Sequence, residues 1–206
     1  MSETIRKDCL PFYHVPDGKI EEGLHSDIYG LDDNWVIKKI KPFWKKGDWK
    51  ERLTQDFSLL DRYLNPFIPS TTFIECSEDG LTNTLLIVQK RIIGRPLRVL
   101  SWDELVHNRT VVEGLIEFGD CVEQMYKETG MTPDLHGGTR NILRQYDFKY
   151  SNNLLIDKTA QIWWTDIDRL GPLWSPNWIG GKIHMALMMR SLSRFIYELQ
   201  AHNHKL

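Results

Sequence analysis

The stretch SNNLLIDKTAQIWWTDID, residues 151–168, decides how the chain is to be read. Leu154, Leu155 and Ile156 form one apolar run, and Ile162, Trp163 and Trp164 form another. A short polar break separates them, so the segment predicts two short strands of a hairpin. Asn153 stands before the first run, and Asp166 and Asp168 stand after the second. An unpaired carboxylate is costly to bury, so a dense apolar hairpin has no structural need of these groups. Asn153 and Asp166 are 166 − 153 = 13 residues apart, a span that returns both to the same end of a hairpin. An amide oxygen and a carboxylate held together suit Mg²⁺, a hard cation that takes oxygen ligands and keeps several waters.

Upstream of the hairpin the order of elements is regular. Residues 18–31 predict a strand, a polar turn containing glycine and a second strand, and residues 34–40 a third. WKERLTQDFSLLDRYL predicts a helix over 48–64, with Leu53, Phe57, Leu60 and Leu64 at helical spacing, ended by Pro66 and Pro69. STTFIEC and NTLLIVQKRI predict two further strands around the turn SEDG. After GRPL the pattern becomes helical. Residues 102–129 predict one long amphipathic segment with Val112, Leu115, Ile116, Cys121, Val122 and Met125 on its apolar face, stopped by Gly130. A final helix is predicted over 180–202, with Ile183, Leu187, Leu192, Phe195 and Leu199 on its apolar side. The expectation is a two-lobed α+β chain: a β-rich N-lobe over 1–93 and a mainly helical C-lobe over 94–206, with a ligand cleft where they meet.

Composition narrows the class. The chain has 206 residues and a net charge of −2, with 41% hydrophobic and 26% charged residues, the profile of a soluble globular protein. No nucleic-acid partner is expected from that charge. The basic-aromatic stretch KKIKPFWKKGDWKER, with Phe43, Trp44 and Trp49, is read as a solvated connector. Cys9, Cys76 and Cys121 are far apart and form no CxxC pair, which fits a reducing compartment. The first residues lack the apolar core of a secretory signal, and no run approaches a membrane span, so the expected location is cytoplasmic. Contact with a membrane surface remains compatible with this. The seven histidines form no metal-ligand cluster.

Taken in order, VIKKI (36–40), LIVQKRIIGRPL (86–97), MYKETGMTPDLHGG (125–138) and NLLIDKTAQIWWTDID (153–168) resemble the protein-kinase-like fold over most of the chain. The resemblance is nearest to small bacterial kinase-like proteins, such as sugar and lipopolysaccharide-core kinases, and TDIDR matches a similar segment of their hairpins. It implies ATP and Mg²⁺ as cofactors. Lys38 would bind phosphate and Asp56 would be its partner. Gln89, Lys90 and Arg91 would lie in the hinge beside the nucleotide. Asp134 would be the catalytic carboxylate, and Asn153 and Asp166 would hold the metal.

Departures from the pattern accompany it. The turn EEGLHSDIYG has only Gly23 and Gly30, and Thr132 and Pro133 stand where His usually precedes the catalytic Asp. An alternative register uses Asp147 and Asn152, 152 − 147 = 5 residues apart, in DFKYSNNLLI. Asp134 is preferred because it follows the long helix directly; Asn141 is a further metal candidate and His136 a further phosphate or substrate contact. Trp163 and Trp164 are expected in the C-lobe core, and Trp174 and Trp178 near a substrate mouth. No segment resembling the substrate platform of eukaryotic-type protein kinases follows Asp168. The expected activity is transfer of the γ-phosphoryl group of ATP to a hydroxyl of a small-molecule, glycolipid or protein acceptor. The alternative is a pseudokinase that serves as a nucleotide-binding or protein-interaction module. A third reading, a metal-dependent hydrolase built on Asp166 and Asp168, leaves Lys38 and the hinge-like segment unexplained.

Overall fold

A computed structural model of the chain describes residues 18–22, 26–41, 47–78, 82–135, 147–151, 153–166, 170–171 and 179–203. The chain divides into two compact units, Met1–Gln55 with Pro69–Ile92, and Asp56–Ile68 with Ile93–Leu206.

The first unit is an antiparallel sheet of β1 (Lys19–Glu22), β2 (Ser26–Gly30), β3 (Trp35–Ile40), β4 (Thr71–Glu78) and β5 (Thr82–Lys90). Its strand order is β1-β2-β3-β5-β4. The sequence supports this order locally, because only three residues separate β1 from β2 and β4 from β5, a span that favours antiparallel neighbours. Buried Val36, Ile37, Ile40, Leu85, Leu86 and Ile87 supply its core. Helix α1 (Trp49–Leu64) starts over this sheet: Leu53 is buried, and Lys50 pairs with Glu75 at 3.5 Å. Residues from Asp56 onward cluster with the second unit.

The second unit is mainly helical. The single segment expected over 102–129 is instead two helices, α2 (Trp102–Val106) and α3 (Arg109–Thr129). The break lies at Asn108, whose side chain accepts a hydrogen bond from the Val111 amide and caps α3. An Asn that satisfies an otherwise orphaned helical N–H favours a new start over continuation. Gly130 ends α3 at φ 71°, its N–H bonded to Tyr126 O. Only glycine takes that left-handed conformation without strain.

Helix α4 (Ile179–Asn203) packs against α3. Its buried side chains are Met185, Met188, Met189, Leu192, Phe195, Ile196 and Leu199. Ile183 and Leu187, expected inside, are 56% and 42% exposed. At 3.6 residues per turn, the five-residue step from Leu187 to Leu192 rotates by roughly 140°. The two sets therefore cannot share a face, and the methionines fill the place assigned to Ile183 and Leu187.

Short strands complete this unit. β6 (Gly94–Pro96), β8 (Leu154–Asp157) and β9 (Ile162–Trp164) form one sheet, while β7 (Thr132–Pro133) pairs with β10 (Leu170–Gly171). The core is a set of rings around Phe118, which meets Phe67 at 5.4 Å, Trp164 at 5.8 Å and Phe148 at 6.2 Å. Full burial of one such side chain contributes about 1.5–3 kcal/mol, and a well-placed ring pair about 0.5–1.5 kcal/mol more. Trp164 belongs to this core, whereas its neighbour Trp163 is half-buried because alternate strand residues face opposite sides. Among the described residues, no helix is long and apolar enough to cross a membrane.

Candidate functional site

The hairpin β8–β9 pairs Leu154 with Trp164, Leu155 with Trp163 and Ile156 with Ile162. Buried Leu154, Ile156, Ile162 and Trp164 fix its inner face. Its closed end is held by Asp157, which accepts bonds from Thr159, Gln161 and the Trp163 indole. With that end fixed and the ladder in register, the residues flanking the open end must meet. Asn153 Nδ2 donates to Asp166 Oδ2 at 3.0 Å. Thr165 donates through its N–H and its hydroxyl to Asn153 O, at 2.9 and 3.2 Å. The Trp164 indole N–H donates to Asp166 O. The two polar groups are thus juxtaposed, half-buried and anchored through the main chain of their neighbours. Thr165 was not singled out from the sequence, because a threonine beside an aspartate carries no signal of the long-range bond it makes.

One amide oxygen and one carboxylate are a fitting donor set for Mg²⁺, which binds proteins through one or two such groups and completes its shell with water and phosphate oxygens. Among the described residues, no three His, Cys, Asp or Glu side chains are grouped to hold a metal ion. A metal here would therefore depend on ligand oxygens for most of its shell.

Asp134 follows β7 directly and is half-buried between Pro133 and the buried Leu135. Pro133 faces Leu170 and Thr132 faces Gly171. The pairing is antiparallel, so Asp134 continues toward the end at which the chain arrives from Asp166, 170 − 166 = 4 residues upstream. Asp147 has a different local role: its Oδ1 accepts from Lys149 N at 3.1 Å and caps the 3₁₀ turn Phe148–Tyr150. Asn152, His136, Asn141, Asp168, Trp174 and Trp178 lie outside the described residues.

In the first unit Lys38 sits at the middle of β3, opposite Ile28 on β2 and Ile87 on β5. It is 6% exposed and shares a strand face with Val36 and Ile40. A buried ammonium group is costly without anionic or carbonyl partners, so this is not the solvated lysine that strand alternation alone would produce. Gln89 is 2% exposed and donates to Thr71 Oγ1 at 3.3 Å. Lys90 and Arg91 have exposed side chains, and their amides are engaged: Lys90 N donates to Ser70 O, and Arg91 N to Asn34 O. Asp56 is half-buried on α1 and falls in the second unit.

No family model matches the chain, and no curated protein matches it. Solved structures do. The kinase domain of Mycobacterium tuberculosis PknI aligns at a TM-score of 0.52 and 13% identity, covering 90% of this chain and 71% of that one. A mutant of that domain aligns with the same score and identity, covering 90% and 73%. The granulovirus kinase PK-1 of Cydia pomonella is 15% identical over 79% of this chain and 56% of that one, with a TM-score of 0.47. At these identities the likeness concerns the fold: the chain has a divergent protein-kinase-like α+β fold, with an antiparallel sheet in its N-terminal part and a mainly helical C-terminal part.

Proposed function

We propose that the chain is a kinase-type phosphotransferase that binds ATP with Mg²⁺ and transfers the γ-phosphoryl group to a hydroxyl. The observation that carries this reading is the Asn153–Asp166 contact at the mouth of the hairpin, together with the kinase-like fold around it. Mg²⁺ would be held by Asn153 Oδ1 and an Asp166 carboxylate oxygen, and would neutralise phosphate charge. Asp134 would accept the proton of the acceptor hydroxyl. Its place at the end of the β7–β10 ladder, on the side from which Asp166 arrives, favours it over Asp147, whose carboxylate caps a turn. Lys38 would meet the phosphates, with Asp56 as its partner. Phosphoryl transfer asks the protein mainly for positioning and electrostatic neutralisation, which is what a fixed lysine and a fixed amide–carboxylate pair supply. In the hinge, Gln89 would support the strand from within. Lys90 and Arg91, whose amides are bonded to Ser70 O and Asn34 O, would lie beside the nucleotide.

The sequence EEGLHSDIYG, with glycine only at positions 23 and 30, favours a second reading, a module that binds nucleotide and transfers nothing. The two are separated by Asp134→Asn. For a phosphotransferase, the variant should bind Mg-ATP as the wild type does while acceptor-dependent loss of ATP falls by about 10²-fold or more. Wild-type binding with no ATP loss over a panel of hydroxyl acceptors supports the binding module instead.

A further inference from the structure

Lys149 is placed unlike an ordinary surface lysine. Its Nζ donates to two main-chain carbonyls, Leu97 O and Leu100 O, each at 2.6 Å. These carbonyls bound the 3₁₀ turn Leu97–Val99, whose Leu97 side chain is fully buried and whose Leu100 N–H also returns to Leu97 O. Burial lowers the proton affinity of Lys149, which the nearby Asp147 and Glu104 carboxylates partly restore. The turn that carries Lys149 is itself anchored. Phe148 is buried against Phe118 and Phe195, its N–H donates to Ser191 Oγ on α4, and Asp147 caps the turn from the N-terminal side.

The connector therefore has two attachments to the segment around Asn153. Gly94–Pro96 pair with Leu155–Asp157, two to four residues after Asn153. Leu97 and Leu100 are held by Lys149, four residues before it. We propose that Lys149 is a positioning residue: its ammonium group clamps the Leu97–Leu100 connector to the segment that presents Asn153, so that the connector and the metal-binding pair keep one spacing. Two of its three N–H donors are spent on carbonyls, so on this proposal Lys149 acts on a nucleotide through the backbone, which the comparison of Mg-ADP with Mg-ATP distinguishes from phosphate contact. The consequence for nucleotide binding rests on the phosphotransferase reading; the clamp itself does not.

The test uses the full chain with Lys149→Met and Lys149→Arg. Without ligand, amide exchange at Leu100 should quicken by about tenfold or more in Lys149→Met, the effect of losing charge-assisted hydrogen bonds, and Lys149→Arg should restore much of the protection. Unchanged exchange at Leu100 in Lys149→Met overturns the clamp. Calorimetric affinities for Mg-ADP and Mg-ATP should then weaken by the same factor in Lys149→Met. A loss confined to Mg-ATP makes Lys149 a ligand of the terminal phosphate and also overturns the proposal, as would unchanged affinity for both. If the wild type binds neither nucleotide, the phosphotransferase reading fails while the exchange measurement still decides the clamp. Should Lys149→Met not fold, Lys149→Leu, which also removes every side-chain donor, is read in the same way.

Discussion

Glu104 joins three parts of the second unit at one carboxylate. It accepts from Arg95 at 2.8 Å and from the Ser101 N–H at 2.7 Å, while its own N–H donates to Ser101 Oγ at 3.1 Å. The Arg95 bond first, and then the Ser101 bonds, lower its pKa from 4.5 to about 2. A carboxylate depressed on folding contributes stability that is present above its unfolded value and is lost as pH falls through its folded value. Glu104→Gln should therefore unfold at lower urea than the wild type at neutral pH, and the gap should close as pH falls from 4.5 toward about 2. A gap independent of pH would place the effect elsewhere. At this scale the sequence was informative where chemistry and spacing coincided. Asn153 and Asp166 stood out because a hairpin between residues 13 positions apart has to return them to one end. Lys149 and Thr165 did not, since their partners are main-chain atoms that no residue type announces.

Among the elements, β6 shows what a pattern reading misses. GRPL marks in the sequence the point after which the pattern becomes helical, yet Gly94–Pro96 form a strand against β8. A Cβ added at Gly94 would lie 2.8 Å from Ile156 O and 3.1 Å from Ile156 C, both main-chain atoms with little room to move. The glycine is needed for close approach of two backbones, which sequence alone cannot distinguish from a glycine needed for a turn. Gly94→Ala should destabilise the protein by about 1–3 kcal/mol, the usual cost of forced overpacking, measured as the shift in urea midpoint at constant m-value. A neutral substitution would contradict the close pairing of β6 and β8. The break between α2 and α3 was missed for a related reason: Leu105 and Val112 are seven residues apart, so helical spacing bridges the polar HNRT, whereas the capping bond of Asn108 begins a new helix there. On α4 the error was angular, with apolar residues assigned to one face although their spacing turns them to two.

For the whole molecule, the order of elements was legible and their grouping less so. Strand periodicity through residue 90 and helical periodicity from residue 102 are local properties, and both appear in the structure. The division of α1 between the two compact units depends on contacts distant in sequence and has no local signature. The same holds for the two-residue ladder β7–β10, which carries Asp134 past the end where the chain arrives from Asp166. On the proposed reading a kinase-like fold would account for the order of Lys38, Asp134, Asn153 and Asp166, but it does not establish turnover. The claim on which the functional account depends is narrower: Asn153 and Asp166 hold a metal that a nucleotide completes. Calorimetric titration of ATP into wild type and Asp166→Ala, with and without Mg²⁺, tests it directly. The account predicts saturable, Mg²⁺-dependent binding by the wild type, and loss of that Mg²⁺ dependence in a variant that still unfolds cooperatively. Equal, Mg²⁺-dependent binding by both proteins, or no binding by the wild type, would contradict it.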